Sequence, residues 1–139
     1  MNDKHIFVDS NILVYAHDID AKQKHSIAQQ KITYLWSNDI RPSISIQVLQ
    51  ECYVTFVRNS LPPKMAKDIV LSYLAWNVID NDQTLLIKSM EIKERWQVSF
   101  WDASILAAAK QANAQVIWSE DFNHNQNYDG IRVINPFSE

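Results

Sequence analysis

The amino-acid sequence predicts an α/β fold, a three-layer α/β/α sandwich with a small, mostly parallel central sheet. Short apolar runs typical of buried strands alternate with longer segments of helical periodicity along the chain, which is the pattern of helices packed around a parallel sheet. The chain has 139 residues and a hydrophobic content of 47%. Both values suit one domain, residues 1–139, built around a single core.

The first half of the chain contributes two strands and three helices. Ile6–Asp9 is apolar until it ends on a carboxylate, and a helix is expected to begin near Asn11. Ala21–Ser37 has helical periodicity, Pro42–Ser45 is a short extended piece, and Ile46–Asn59 is a helix. The apolar stripe of this last helix consists of Leu49, Cys52, Tyr53 and Phe56.

The second half repeats the alternation. A helix can restart at Pro63, because proline is favoured at the first helical position. Asp82 and Ser99 are expected to cap two further helices, the second from Phe100 to about Ala112. The remaining predicted strands are Asn77–Asp80, Gln115–Trp118 and, near an edge, Ile131–Ile134. The sheet should therefore have about four or five strands.

Composition excludes several classes of protein. The only glycine is Gly130, so neither a P-loop nor a glycine-rich dinucleotide site is present. A net charge of −3 is not that of a general nucleic-acid binder, so contact with RNA or DNA would need a local basic patch or bound cations. Cys52 is the single cysteine and is expected to be a buried apolar residue rather than a reactive thiol.

The features that report on cellular location point to the cytoplasm. With one cysteine no intramolecular disulfide can form, which suits a reducing compartment. The first residues lack the basic start and apolar core of a signal peptide. No apolar run approaches the ~20 residues that a membrane-spanning helix needs. We therefore expect a cytoplasmic protein that does not enter the membrane.

Four acids interrupt or directly follow apolar elements, and each also has an ordinary structural explanation. Asp9 ends a strand and could cap the next helix. Glu51 lies within a helix and could be an exposed glutamate. Asp102 shares a helical face with apolar residues, where a carboxylate is costly unless it is paired, hydrogen-bonded or metal-bound, but Ser99 and Asp102 also form a capping box. Asp121 follows a strand and could be a turn residue, with the neighbouring Glu120 competing for its role.

Taken together, the four acids predict a metal site. Ligands bind beyond the carboxyl ends of the strands in parallel sheets, and several carboxylates meeting there would repel each other and raise one another's pKa. A divalent cation removes that repulsion, and ligands that are all oxygen select Mg²⁺ or Mn²⁺ over zinc. The cation would also anchor a phosphodiester and activate a water molecule.

The segments that carry these acids resemble the PIN-domain nucleases, especially the VapC-like toxins of bacterial type II toxin–antitoxin pairs. The matching segments, in the order of the family, are FVDSNILVY, QVLQECYV, SFWDASILAAA and WSEDFNHNQNYDGIRVINPF. The resemblance implies an acidic core of Asp9, Glu51 and Asp102, with Asp121 in the place of a more variable fourth acid. One departure is Asn125, where relatives often carry glycine; asparagine tolerates the left-handed backbone such a turn requires.

The resemblance further implies a function, cofactors and partners. It implies a Mg²⁺- or Mn²⁺-dependent endoribonuclease, a hydrolase that cleaves RNA phosphodiester bonds with a metal-activated water and is held inactive by a cognate antitoxin. Asp9 and Asp102 would bind the metal directly, Glu51 directly or through water, and Asp121 would hold a second metal or orient its waters. Side chains able to hydrogen-bond these carboxylates are those of Ser10, Asn11 and Ser119.

Other interpretations remain open from the sequence. A PIN fold could act in RNA processing or on another nucleic acid, and the acids could be structural caps in a catalytically silent binding domain. The apolar helices around Ile46–Asn59 and Lys64–Ala75 could accept the antitoxin or form a homodimer face, or pack into the core. Of the five tryptophans, an exposed one could stack on an RNA base.

Overall fold

The computed structural model describes residues 4–138. That part of the chain forms one six-stranded sheet in the order β3-β2-β1-β4-β6-β5. The strands are β1 Ile6–Val8, β2 Ser43–Ser45, β3 Asn77–Ile79, β4 Val116–Trp118, β5 Asn127–Tyr128 and β6 Ile131–Ile134. Every pairing is parallel except that of β5 with β6. The predicted α/β sandwich with a mostly parallel sheet is confirmed.

The α-helices supply the connections among β1, β2, β3 and β4, whereas β4 and β6 are connected through β5. Their bounds are α1 Ser10–Ala16, α2 Gln23–Trp36, α3 Ile46–Arg58, α4 Pro63–Ser72, α5 Gln83–Trp96 and α6 Phe100–Gln111. Asp82 caps α5 by accepting the Leu85 N–H, and Ser99 caps α6 by accepting the Asp102 N–H, as predicted. No helix within residues 4–138 is long and apolar enough to span a membrane.

Two details differ from the sequence prediction. The sheet has six strands in the described residues, rather than four or five, because the two-residue β5 is too short to give any periodicity. The second helix begins at Gln23 rather than Ala21, since Ile19–Ala21 forms a 3₁₀ turn and Lys22 has a φ of 58°. Asn125 has a φ of 70°, the left-handed conformation expected where relatives often carry glycine.

The core lies on both faces of the central strands. Phe7, Val8, Ile44, Ile117 and Val133 are fully buried, as expected for parallel strands covered by helices on each side. Helix α6 is buried along seven consecutive positions, residues 103–109, four of which are alanine. These small side chains let α6 pack closely against its neighbours, and Asp102 directly precedes this buried segment.

The register of β1 and β4 places their carboxyl ends side by side. Val8 is aligned with Trp118, and the Asp9 N–H donates to the Trp118 carbonyl oxygen at 3.0 Å. The first residues beyond the two strands, Asp9 and Ser119, are therefore neighbours although they are far apart in sequence.

Candidate active site at the carboxyl edge of the sheet

Asp9 lies in the centre of this edge and is only 4% exposed. Its Oδ1 accepts a hydrogen bond from the Ser10 N–H at 2.7 Å, and its Oδ2 accepts one from the Ser119 hydroxyl at 2.7 Å. The Asn11 amide makes a longer contact with Oδ2, at 3.5 Å. Asp9 does cap α1, but that role uses one oxygen only, so capping alone does not explain the buried carboxylate.

Burial controls the ionisation of Asp9. Removal of the carboxyl from water raises its pKa to about 7. The hydrogen bonds from Ser119 and Ser10 favour the charged form and so lower the pKa, but their effect is smaller than that of burial. The negative charges of Asp121 and Glu51 raise the pKa further. A bound cation would oppose all of the effects that raise it, so this carboxylate is suited to an ion that brings positive charge.

Glu51 is joined to the same edge through Ser10. Its Oε1 accepts a hydrogen bond from the Ser10 hydroxyl at 2.8 Å, and its Oε2 accepts one from the Gln47 amide at 3.1 Å. Ser10 thus contacts two of the predicted acids, Asp9 by its backbone and Glu51 by its side chain. Glu51 is half-buried, rather than fully exposed as its ordinary explanation requires.

Asp121 and Glu120 point to different partners. Asp121 Oδ2 accepts a hydrogen bond from the Asn11 amide at 3.1 Å, and the Asp121 N–H donates to the Ser119 hydroxyl at 3.0 Å. The Glu120 carboxylate instead accepts from the Tyr15 hydroxyl at 2.7 Å and from Lys24 Nζ at 2.9 Å. Both Glu120 oxygens are therefore engaged elsewhere, which favours Asp121 as the fourth acid.

Asp102 approaches from the first turn of α6. Its backbone N–H is bound by the Ser99 hydroxyl at 3.0 Å, so the predicted cap is present, and its carboxylate is half-buried. Burial raises the pKa of Asp102, and the charges of Asp121 and, more weakly, Glu51 raise it further. Burial likewise raises the pKa of Asp121, with Glu120 and Glu51 adding to the effect. The four predicted acids therefore share one electrostatic environment.

The four acids do not form a ready coordination sphere. Among residues 4–138, no three carboxylate, histidine or cysteine side chains are grouped closely enough to hold a metal ion as they stand. Instead, Ser10 bridges Asp9 and Glu51, and Asn11 and Ser119 bridge Asp9 and Asp121. The donor set nonetheless fits a hard divalent cation, since it consists of carboxylate oxygens around a buried acid whose pKa is raised.

Three residues of this edge were not found from the sequence. Gln47 is buried and orients Glu51, and its position one helical turn before Glu51 was the available signal. Tyr15 and Lys24 bind Glu120 from α1 and α2, and no sequence pattern links residues on different elements.

Cys52 is buried, with burial raising the pKa of its thiol, as expected for an unreactive cysteine.

Comparison with family models gives a match to the PIN domain over residues 6–129. A comparison with curated protein sequences gives no significant match. The family match spans β1 to the turn after β5 and includes all four predicted acids.

Several solved structures share the fold. VapC20 of Mycobacterium tuberculosis, described as a toxin that cleaves the sarcin–ricin loop, has a TM-score of 0.67 at 21% identity, over 84% of this chain and 89% of that one. A toxin–antitoxin complex from Klebsiella pneumoniae has a TM-score of 0.70 at 19% identity, over 97% and 99%. DNA-bound VapBC from Salmonella typhimurium has a TM-score of 0.66 at 20% identity, over 94% and 96%. At these identities the likeness concerns the fold.

Proposed function

The chain belongs to the PIN-domain family, and we propose that it is a divalent-metal-dependent endoribonuclease that acts as the toxin of a toxin–antitoxin pair. The observation that carries the proposal is the buried carboxylate of Asp9, hydrogen-bonded by Ser119 at the carboxyl end of the sheet. A carboxyl buried with a pKa raised to about 7 is unfavourable for the protein alone and is relieved by a cation.

The residues that would hold the ion are those predicted from the sequence. Asp9 and Asp102 would bind it directly, Glu51 would bind it directly or through water, and Asp121 would hold a second ion or orient hydration waters. Movement of the half-buried Asp102 and the exposed Asp121 towards the fixed Asp9 would complete the site. The ion would supply Lewis-acid stabilisation of the phosphodiester and a water molecule of lowered pKa.

The protein's own hydrogen bonds would orient the ligands. Ser119 and the Ser10 N–H hold the two oxygens of Asp9, while the Ser10 hydroxyl and Gln47 hold those of Glu51. Such partners of metal ligands fix side-chain orientation and raise affinity. Because the cysteine is buried and its thiol is the neutral form, covalent catalysis by Cys52 is disfavoured, and direct attack by water is the mechanism that the residues support.

RNA is the proposed substrate. VapC20, one of the proteins with this fold, is described as cleaving the sarcin–ricin loop. A chain of net charge −3 with four acids at the site would repel a polyanion unless cations bridge the two. Trp101 is 64% exposed and adjacent to Asp102, so it offers a surface on which an unpaired base could stack.

The proposed partners are an antitoxin and a second copy of this chain. Structures of the same fold include toxin–antitoxin complexes. Between α3 and α4 lies an apolar groove of about 340 Å³, the kind of surface that receives an amphipathic segment. Its lining residues are Ile46, Leu49, Gln50, Tyr53, Val54, Val70 and Leu74. An antitoxin arginine that reached the acids would inhibit by replacing the cation.

The experiment that tests the function is cleavage of single-stranded RNA by the purified chain with Mg²⁺ or Mn²⁺, with and without EDTA. Asp9→Asn should abolish cleavage, and Asp39→Asn, which alters an exposed aspartate outside the site, should not. Cleavage that persists in EDTA, or equal activity in Asp9→Asn, would refute the proposal. Co-expression with the product of an adjacent small reading frame tests the antitoxin.

A further inference from the structure

A second set of contacts beside the acids is not used by the proposed chemistry. The Glu120 carboxylate is bound on one oxygen by the Tyr15 hydroxyl at 2.7 Å and on the other by Lys24 Nζ at 2.9 Å. We call Tyr15, Lys24 and Glu120 the Glu120 anchor. It joins the consecutive helices α1 and α2 to the segment after β4, which is distant from both in sequence.

The anchor acts on the residue next to it. Glu120 and Asp121 are consecutive, and their carboxylates bind different partners, Tyr15 and Lys24 for the first and Asn11 for the second. The Glu120 N–H also donates to Asn11 Oδ1 at 3.3 Å. Asn11 therefore contacts Glu120 by its carbonyl and Asp121 by its amide, so the position of one residue constrains the other.

Aromatic contacts hold Lys24 in place. Its Nζ lies 5.0 Å from the ring centroid of Tyr15 and 5.4 Å from that of Phe137, within the range of cation–π attraction. The two rings meet edge to face at 5.3 Å. Phe137 follows β6, and the Ile134 carbonyl at the end of β6 accepts the Ser119 N–H at 3.1 Å. The C-terminal segment thus lies at the same carboxyl edge of the sheet as Glu120.

This ion pair differs from the exposed pairs of the surface. The pair is 2.9 Å long, and the Glu120 side chain is 22% exposed while that of Lys24 is 45% exposed. Lys64 and Asp68, by contrast, lie 3.9 Å apart with side chains 89% and 65% exposed. An exposed pair of that kind contributes little to structure. Glu120 differs in that its carboxylate is mostly buried and has a short charged donor on one oxygen and the Tyr15 hydroxyl on the other, so its position is more restrained than that of Asp68.

We infer that Tyr15 and Lys24 are positioning residues for the active site, which act through Glu120 to hold Asp121 in line with Asn11 and the other acids. The expected effect on RNA cleavage rests on the proposed nuclease function. The expected effect on the position of Asp121 rests only on the contacts above. Neither side chain contacts Asp9, Glu51, Asp102 or Asp121 in the hydrogen bonds and ion pairs of the described residues, so their effect reaches the site indirectly.

Tyr15→Phe is the decisive variant, because it removes one anchoring hydrogen bond without changing any charge. We expect kcat for RNA cleavage to fall by no more than roughly tenfold, the lower end of the loss seen when direct partners of metal ligands are removed, because Tyr15 acts on Asp121 through Glu120. KM should change less than about twofold. Lys24→Met should act in the same direction, and Lys24→Arg should restore most of kcat, since arginine keeps both the ion pair and the ring contacts. Lys64→Met is the matched control and should leave kcat unchanged.

The kinetic outcomes separate positioning from other roles. A rise in KM with kcat unchanged in Lys24→Met would mean that Lys24 contacts RNA, and would overturn the inference. A loss in Lys24→Met without any loss in Tyr15→Phe would mean that only the charge of Lys24 matters, and would overturn it as well. Thermal unfolding of each variant, measured alongside, must show a folded protein at the assay temperature.

A readout without substrate or metal distinguishes failure of this inference from failure of the nuclease proposal. In ¹⁵N-labelled protein, Tyr15→Phe and Lys24→Met should shift the Asn11 side-chain amide and the Asp121 backbone amide, whereas Lys64→Met should shift neither. This result supports positioning even if the wild-type chain cleaves no RNA. Unchanged Asn11 and Asp121 signals in both anchor variants would overturn it even if the wild type is active.

Discussion

The hydroxyl of Ser119 donates a 2.7 Å hydrogen bond to Oδ2 of Asp9, joining the ends of two neighbouring parallel strands. Ser119 is fully buried, and its oxygen also accepts the Asp121 N–H. The Ser119 side chain therefore orients both the carboxylate of Asp9, the most buried acid of this edge, and the backbone of Asp121, the most exposed one.

Replacement of Ser119 by alanine should destabilise the protein in a pH-dependent way. The change leaves an ionised, buried Asp9 oxygen without its donor, at a cost of about 1–3 kcal/mol in the free energy of unfolding at pH 8. The cost should shrink at pH 5, where Asp9 is protonated because burial raises its pKa to about 7. Urea unfolding at the two pH values in EDTA measures it. Ser72→Ala, in which the exposed serine bonds only within its own helix, is the control, and an equal loss in both would contradict the prediction.

Asp9→Asn should stabilise the metal-free protein above neutral pH. The folded state holds the Asp9 proton more tightly than the unfolded chain, since the pKa rises from 3.8 to about 7. The stability that this proton contributes is complete below the lower value and is lost as the pH rises through the higher one. At pH 8 the asparagine variant should therefore be more stable than wild type by about 4 kcal/mol, and at pH 4.5 by only about 1 kcal/mol.

Metal addition should reverse that order. Mn²⁺ should raise the melting temperature of the wild type and not that of Asp9→Asn, since a ligand stabilises only the state that binds it. Thermal unfolding with and without Mn²⁺ at pH 8 measures both effects. If Asp9→Asn is less stable than wild type in EDTA at pH 8, the negative charge of Asp9 does not destabilise the metal-free protein and the prediction is wrong.

Asp102 and Asp82 both lie at the start of a helix but should respond differently to the same substitution. Removing a residue that only hydrogen-bonds a metal ligand reduces activity by up to about 100-fold. Because Asp102 is proposed to bind the metal itself, Asp102→Asn should reduce RNA cleavage by at least about 100-fold. Asp82→Asn should leave activity intact, because asparagine caps helices as well as aspartate does and Asp82 binds only the Leu85 N–H. Initial rates of cleavage with Mn²⁺, compared at equal protein concentration, decide the matter; similar losses in the two variants would exclude a special role for Asp102.

Trp101 should contribute to RNA binding and not to metal binding. Its side chain is 64% exposed beside Asp102, and stacking of one base on an aromatic ring is worth about 1–3 kcal/mol. Trp101→Ala should raise KM for single-stranded RNA about tenfold with Mn²⁺ affinity unchanged. Trp36→Ala is the control, since Trp36 is also exposed but packs on Tyr73 and Trp76. An unchanged KM in Trp101→Ala would remove this tryptophan from the RNA surface.

Much of the fold could be predicted because local patterns define it. Caps such as Asp82 and Ser99 mark helix starts wherever the chain folds, and apolar runs such as Ile6–Val8 mark buried strands. The strand β5 was missed because periodicity needs more than two residues. Its turn, Asp129-Gly130, has φ values of 54° and 98°, and this Asp-Gly pair was the available hairpin signal.

The choice between neighbouring acids required the tertiary structure. Glu120 and Asp121 cannot be told apart from the sequence, since they are consecutive acids within three residues of the end of β4. Tyr15 and Lys24 take up the Glu120 carboxylate, and these residues lie on helices whose position relative to β4 no local pattern encodes. The same holds for Ser10, whose hydroxyl reaches Glu51 across the space between α1 and α3.

The sequence by itself determined the α/β architecture, the order of the elements and the positions where carboxylates end strands or begin helices, because these depend on backbone propensity and on the burial of apolar side chains near in sequence. Only the tertiary structure decided which carboxylates share one environment, which donors bridge them and which acid binds a lysine instead. The physical reason is that hydrogen bonds and charges act through space over a few ångströms. Asp9, Glu51, Asp102 and Asp121 come within that range only when α3, α6 and the ends of β1 and β4 pack together.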